Sequence, residues 1–490
     1  MLEALFTDSA LWVKLFGAAL VILQLALTAG VILRVILTRH PPGSSFAWIL
    51  LTVALPYVGF FLYIMLGERP IGRWRAYKLK KILDTWERVS HQKVSRAKMP
   101  VAQRHKGLVR LAQRLGDMPM TEGSLLDLIP DSEHALKRML DDVNNAKKSI
   151  SMEFYIWDLG GTCDEMAMAL IAAAERGVVC RLLLDDIGSH KFFHSPWPAR
   201  MRASGVHVSC ALPVSLFPMT KGRADLRLHR KTVIIDDTIG YTGSLNMIDP
   251  TLFNVSEGVG EWVDAMVRIE GSSVADLNQI FALDWALQPD DEGHMPELLP
   301  VPETPPKGHA CVTVVGSGPT TMDDANKRLI LEAIGCARSR IYITTPYFVP
   351  DEAMVIALQN AAMRGVEVRL CVPKVCDSEW VRYASKRYFG QLLDSGVKIL
   401  LFTDGILHTK AVTVDNDFSL FGTVNLDSRS LHLNFEMMLL VFDSEFVQML
   451  SILQHTYEAL AEPVDAQTWH QRPVSERLKE GFCHLFSPLL

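Results

Sequence analysis

No long run of one sign of charge marks this chain. Its 49 lysines and arginines stand against 55 aspartates and glutamates, a net charge of −6 over 490 residues. That balance gives no general electrostatic footprint for nucleic acid, and no extended basic stripe is evident. Cysteine is present but unorganised: Cys163, Cys180, Cys210, Cys311, Cys336, Cys371, Cys376 and Cys483 fall without ligand or disulfide-scaffold spacing. Cys371 and Cys376 are close together but lack a matching pair elsewhere, so core thiols in a reducing compartment are expected. The acidic residues are dispersed and define no metal cluster. Charge is missing altogether from Leu15 to Leu33 and from Phe46 to Leu66. Each run is long enough, with tilt, to cross a bilayer, which predicts two transmembrane helices over about 15–33 and 46–66. A small-x-small processing site is also lacking after the first run, and a second apolar run follows at once, so a cleavable signal explains it less well.

What is present is a repeat. Leu228-His229-Arg230-Lys231-Thr232-Val233-Ile234-Ile235-Asp236 returns as Leu407-His408-Thr409-Lys410-Ala411-Val412-Thr413-Val414-Asp415, displaced by 179 residues at the histidine, the lysine and the aspartate. Gly243, Ser244 and Asn246 follow the first histidine at 14, 15 and 17 residues, and Gly422, Thr423 and Asn425 follow the second at the same spacings. Residues two apart on a strand share a side, so each His/Lys pair is expected on one face, with Val233 or Val412 carrying the strand into a core. Asp236-Asp237 and Asp415-Asn416-Asp417 predict a turn and a returning strand that brings the Ser/Thr and Asn side chains back toward the pair.

Other segments repeat at the same level. Ile150–Ile156 resembles Ile341–Tyr347, Arg176–Leu182 resembles Arg364–Leu370, and Ser204–Val208 resembles Ser395–Ile399. Alanine-rich helical stretches, Met166–Glu175 and Ala353–Met363, precede the middle pair, so each half reads strand, helix, strand before its hairpin. That is an α/β pattern. From Gln288 to Gly308 six prolines occur among acidic and polar residues, marking an exposed linker. The expected organisation is an anchor over 1–70, a basic and mainly helical connector over 71–135, a first domain over 136–287, the linker over 288–308 and a second domain over 309–490. Arg69, Arg73, Arg75, Lys78, Lys80 and Lys81 follow the second apolar run, and positive-inside bias puts the large C-terminal portion in the cytoplasm. The same stretch, interleaved with Trp74 and Tyr77, can rest on anionic headgroups or simply be a solvated flank.

The duplicated His-x-Lys-x4-Asp with its Gly-Ser/Thr-x-Asn resembles the phospholipase D superfamily. Within it the nearest resemblance is to the bacterial cardiolipin synthases, carried by Asn246–Pro250, Gly258–Asp264, Thr345–Pro350, Gly422–Ser430 and the two preceding apolar runs. This implies two tandem α/β/α sandwich domains in a pseudo-twofold arrangement whose motifs meet in one cleft. The implied activity transfers a phosphatidyl group between two phosphatidylglycerol molecules, giving cardiolipin and glycerol through a phosphohistidine, in the bacterial inner membrane. Alternatives are a phospholipase D-type hydrolase, or a phosphatidyltransferase with a different lipid or alcohol acceptor. A nuclease fits less well behind membrane spans, and a non-enzymatic scaffold would have no use for two complete motifs. Partners are membrane lipids rather than nucleic acid; no cofactor and no metal are expected.

Sequence symmetry does not distinguish the histidines; family usage makes His229 the nucleophile and His408 the general acid and then base. Lys231, Lys410, Asn246 and Asn425 are candidates to hold the phosphate oxygens. Ser244 and Thr423 either donate to phosphate or cap the next turn. Asp236 and Asp415 complete the catalytic motif, in a supporting role that pairs lysine or fixes the turn. Asp264 and Glu436 are the candidates to orient the histidines, Glu436 at 28 residues after His408 and Asp264 at 35 after His229, with Glu257 at the 28-residue spacing. Tyr155, Tyr347 and Phe348 line either the mouth or the core. Asp185, Asp186, Lys374 and Asp377 are lesser cleft candidates.

Overall fold

A computed structural model of the chain describes residues 2–38, 42–67, 77–79, 82, 103–214, 225–253, 260–288, 301–319, 321–322 and 324–487. It divides into two compact units, Met1–Ala76 with Val214–Asp225, and Tyr77–Pro213 with Leu226–Leu490.

In the first unit the helix α1 (Leu2–Leu37) contains an apolar stretch, Trp12–Leu37, long enough to cross a membrane. It is the one such helix among the described residues. The second apolar run does not form the uninterrupted span expected for it. Pro56 cannot donate to the preceding turn, so the run breaks at Leu55 into α2 (Pro42–Ala54) and α3 (Pro56–Leu62), followed by a π-helical turn at Tyr63–Gly67. Val31 and Val35 of α1 pack with Tyr63, Trp48 and Phe60. Most of the basic flank and residues 289–300 of the proline-rich linker lie outside the described residues.

The larger unit is organised by one 15-stranded sheet. The first half contributes β1 (Thr121–Ile129), β2 (Ser149–Phe154), β3 (Val179–Asp185), β4 (His207–Ala211), β5 (Thr232–Ile235), β6 (Ile239–Gly243) and β7 (Met266–Gly271). The second contributes β8 (Ala310–Ser317), β9 (Arg340–Thr344), β10 (Glu367–Pro373), β11 (Lys398–Phe402), β12 (Ala411–Val414), β13 (Phe418–Gly422), β14 (Glu436–Phe442) and β15 (Ala461–Pro463). The order is β15-β11-β10-β9-β12-β13-β14-β8-β1-β7-β6-β5-β2-β3-β4. Leaving aside β15, it reads the same from both ends, with the seam where β1 meets β8 antiparallel. β2, β3 and β4 run parallel, as do β9, β10 and β11, while the remaining ladders are antiparallel.

Side-chain alternation along these strands fills both faces of the sheet. Ile341, Ile343, Val368 and Leu370 join the core formed with α4 (Lys106–Gly116), α5 (Ala325–Cys336), α6 (Glu352–Met363) and α7 (Glu379–Asp394). Tyr342, Cys371 and Leu400 point the other way and pack with Tyr457 and Leu453 of α8 (Ser444–Ala459). The result is an α/β/α sandwich in each half. β1 falls inside the stretch expected to be a helical connector. Gly123, Ser124 and Asp127 interrupt its apolar alternation, yet it pairs with β7 on one side and β8 on the other.

The aspartates of the repeated motif hold the β5–β6 and β12–β13 hairpins. Asp236 and Asp237 have φ of 54° and 61°, and Asp415 has 53°, the left-handed conformation that aspartate tolerates in tight turns. The Asp236 carboxylate accepts from the backbone N–H groups of Lys147 at 2.9 Å, Lys148 at 2.6 Å and Ser149 at 3.0 Å. Asp415 accepts from those of Arg338, Ser339 and Arg340 at 3.1, 2.8 and 2.9 Å. Each therefore clasps its turn to the start of the neighbouring antiparallel strand, β2 or β9, and the alternative of pairing with lysine is corrected. Gly243 and Gly422 serve close approach: a Cβ there would stand 2.4 Å from the Ala265 oxygen and 2.2 Å from the Met437 oxygen. Asp236→Ala is expected to lower stability by about 1–3 kcal/mol, read as a lower urea midpoint with unchanged slope; an unmoved midpoint would show that the clasp carries no stability.

Candidate active site

The His/Lys segments are extended but lie outside the main ladder, which resumes only at Thr232 and Ala411. Their backbones pair instead with the opposite half. His229 N donates to Phe435 O at 2.9 Å and Phe435 N to Arg227 O at 2.9 Å, around a parallel bridge of Leu228 with Phe435. Across the pseudo-twofold, His408 N donates to Val263 O at 2.9 Å, and the short strands Ile406–Leu407 and Trp262–Val263 pair in parallel.

This register places each histidine beside the residue that follows its partner: Glu436 after Phe435, Asp264 after Val263. The His229 Nδ1 lies 2.9 Å from both Glu436 oxygens, and the His408 Nδ1 lies 2.6 Å from Asp264 Oδ1. The pairing expected within each half, Asp264 with His229 and Glu436 with His408, is therefore corrected: both pairs cross the molecule. Glu257 lies outside the described residues. With Nδ1–H donated to a carboxylate, Nε2 is left as the reactive nitrogen of each ring.

Burial sets the charge state. It pulls the His229 imidazole down to about 4, against the opposing pull of Glu436, with Lys231 adding to the depression. Burial and then Lys410 bring His408 down to about 3, opposed by Asp264. Both rings are neutral at rest near pH 7. Burial alone would raise the two carboxyls, but the hydrogen bond from His229 and the charge of Lys231 keep Glu436 below its ordinary range, and the hydrogen bond from His408 and the charge of Lys410 do the same for Asp264. Burial brings Lys231 down to about 8 and Lys410 well below its ordinary range. Each histidine is influenced by the lysine of the other half as well as its own, which places the four groups in one centre. Both ammonium groups donate to the carbonyl of the histidine two residues back, Lys231 at 2.7 Å and Lys410 at 2.5 Å.

The small polar residues take other positions than expected. Thr423 donates to Glu436 at 2.5 Å and receives the Met437 N–H at 2.9 Å. Ser244 receives the Ala265 N–H at 3.0 Å and helps hold the adjacent Asp264 carboxyl low. Neither is aimed at phosphate first: each braces an acid of its own half, which in turn braces a histidine of the other. Asn246 is buried, and its amide oxygen receives the Ile156 N–H at 3.1 Å, leaving the NH2 end for other contacts. Asn425 is buried against Asp427, whose carboxyl burial pushes up to about 6.

Tyr155 sets its ring 5.2 Å from that of His229, and Lys231 lies over it at 5.7 Å. Phe348 is core, edge-on to Tyr388, and Tyr347 donates to Asp377 at 2.7 Å. Asp185 pairs with Arg227 at 3.1 Å and receives the Leu228 N–H, fixing the strand that leads into His229. Lys374 pairs with Glu462 at the surface.

Three further residues belong to the centre. Ser430 donates to Glu436 at 2.7 Å, and the Trp262 ring lies 4.2 Å from that of His408. Arg230, fully buried, donates to the Glu436 carbonyl and the Ser317 carbonyl, both at 3.0 Å, and pairs with Asp284. Its signal in the sequence was an asymmetry, because the equivalent position is Thr409.

Comparison with known proteins agrees with this architecture. Residues 139–285 and 330–453 match the family described as cardiolipin synthase, PLD-like domain, and residues 26–68 match the phospholipase D-nuclease N-terminal family. The chain is 41% identical over 494 residues to cardiolipin synthase A of Erwinia tasmaniensis, covering 98% of each. It is 40% identical over 484 residues to cardiolipin synthase A of Serratia proteamaculans, again covering 98% of each. The fold is similar to that of phosphatidylserine synthase from Haemophilus influenzae Rd KW20, with a TM-score of 0.59 at 16% identity, over 79% of this chain and 100% of that one. With the family match spanning more than half of its length and these relatives spanning nearly all of it, the chain belongs to the cardiolipin synthase family of phospholipase D-like proteins.

Proposed function

We propose that the chain transfers a phosphatidyl group from one phosphatidylglycerol to another, releasing glycerol and forming cardiolipin. The observation that carries the chemistry is the crossed pair of histidine–carboxylate dyads around two buried lysines; the substrates are supported by the relatives. The His229 Nε2 lone pair attacks phosphorus, and the bond from phosphorus to the glycerol oxygen breaks. His408, protonated, gives its Nε2 proton to that oxygen. In the second step the primary hydroxyl of the acceptor gives its proton to the now neutral His408 and attacks phosphorus, and the P–N bond of phosphatidyl-His229 breaks. Lys231, Lys410 and the Asn246 amide face the charge that builds on the non-bridging oxygens.

A neutral resting His408 suits this sequence. Lys410 is, after burial, the main influence that drives off its proton. A phosphodiester anion seated on that lysine offsets the repulsion, so binding of the donor itself raises the acid to its working state.

The second apolar segment is proposed as a further, proline-broken crossing beside α1, since a packed neighbouring helix lets a membrane segment tolerate such a break. The basic residues from Arg69 to Lys81 support a cytoplasmic location for the larger unit at a bacterial inner membrane.

In proteoliposomes of phosphatidylglycerol, cardiolipin and glycerol are expected in equal amounts; phosphatidic acid as the main product, or no turnover by folded protein, would overturn the assignment. The crossed dyads are separable with a phosphatidyl donor bearing a nitrophenolate leaving group, which needs no proton. Glu436→Gln is expected to remove the burst of nitrophenol, lowering the step by about 10³–10⁴-fold, while Asp264→Asn spares it. The reverse pattern would restore pairing within each half. With the nitrophenyl donor, whose departure needs no proton from His408, the burst rate is expected to rise as His229 loses its proton near its value of about 4 and to fall as Lys231 loses its charge through about 8. Lys231→Arg, which keeps its charge, moves the alkaline limb upward; a limb that stays in place belongs to another group.

A further inference from the structure

The last long helix, α9 (Val474–His484), sorts its side chains by face. At about 100° per residue, Val474, Leu478 and Phe482 form one stripe, and all three face water, at 67, 68 and 56% exposed. Leu485, just past the helix end, extends it at 74%. The opposite side packs on the protein through Glu480 and Cys483, both buried. Arg477 and Lys479 border the stripe on its two sides, so the cations frame the apolar face while Glu480 turns inward, bonded to Arg472.

α7, which lies against α9, continues this surface. Trp380 in its first turn, 47% exposed, packs edge-on to Phe486 at 5.4 Å and near Phe482 at 6.0 Å. The Tyr383 ring gathers Arg382 at 4.7 Å, Lys386 at 5.5 Å and Lys479 at 5.7 Å. Residues 379–387 and 472–484 together hold six lysines and arginines against three glutamates, a local excess of +3 in a chain of net charge −6.

We propose that α9 and the first turns of α7 form an interfacial anchor that seats on an anionic bilayer. Leu478, Phe482, Trp380 and Phe486 enter the boundary between headgroups and acyl chains, and Arg477, Lys479 and Lys386 meet lipid phosphates. The charge selects this occupant. A second copy of the same face would set +3 against +3, whereas anionic lipid complements it, and the apolar helix α1 already supplies a membrane to the chain. The anchor is independent of which phosphodiester the cleft takes, and its test needs no turnover.

The full-length protein is labelled with an environment-sensitive fluorophore at Leu478→Cys, or at Phe482→Cys should the first fold poorly, and reconstituted in vesicles carrying doxyl-quencher lipids. Ile452→Cys, an exposed position on α8, gives the reference. With phosphatidylglycerol present, quenching at 478 is expected to exceed that at 452 by at least twofold, and to fall by at least half in phosphatidylcholine alone or in the Arg477→Glu, Lys479→Glu double variant. Equal quenching at both positions, or quenching indifferent to lipid charge, overturns the proposal. A blue shift at 478 that grows with protein concentration in detergent also overturns it, showing that a second copy covers the face.

Discussion

The constraint on which the rest depends is the backbone pairing of each histidine segment with a strand of the opposite half. Two short parallel contacts, Leu228 with Phe435 and Ile406–Leu407 with Trp262–Val263, decide which carboxylate each imidazole meets. Everything in the centre follows from that register: the tautomer of both rings, the threonine and serine behind the acids, and the nearness of two ammonium groups that would repel each other in isolation. An active centre built this way is an interface inside one chain, with the isologous logic of a twofold dimer.

The same arrangement explains how so much charge is held out of water. Lys231, Lys410, Glu436, Asp264 and Arg230 are all buried. Burying any one alone would carry a penalty of several kcal/mol, so each is tolerable because a counter-charge or carbonyl comes with it. Arg230 is the clearest case: its guanidinium links the Glu436 and Ser317 carbonyls of the second half to Asp284 of the first. That tie has no counterpart at Thr409, which bonds Tyr457 at 3.0 Å instead.

Much of this was legible in the sequence, for physical reasons. A polar pattern repeated at one offset survives only if both copies do similar work, and the repeat located both hairpins, the α/β halves and the His/Lys sets. Offsets along a chain cannot say which copy a side chain meets in space, so Asp264 and Glu436 were recognised while their partners were exchanged. Asp236 and Asp415 show the complementary difficulty. A carboxylate at fixed spacing from a lysine reads as its partner, whereas the backbone N–H groups that bind it, 87 to 89 positions away for Asp236, leave no mark in side-chain identity. Pro56 was visible within the second apolar run, but apolarity measures fitness for a membrane and not helical continuity.

The β1–β8 seam makes only three paired positions, Thr121 with Val312, Glu122 with Cys311 and Ser124 with Ala310, interrupted by a bulge. Both dyads draw one member from each side of it. Parting the halves, at this seam and at the parallel contacts beside the two histidines, therefore strips both imidazoles of their carboxylates in a single event. The join as a whole behaves as a fuse: local damage within a half lowers performance by degrees, but its loss extinguishes both dyads together.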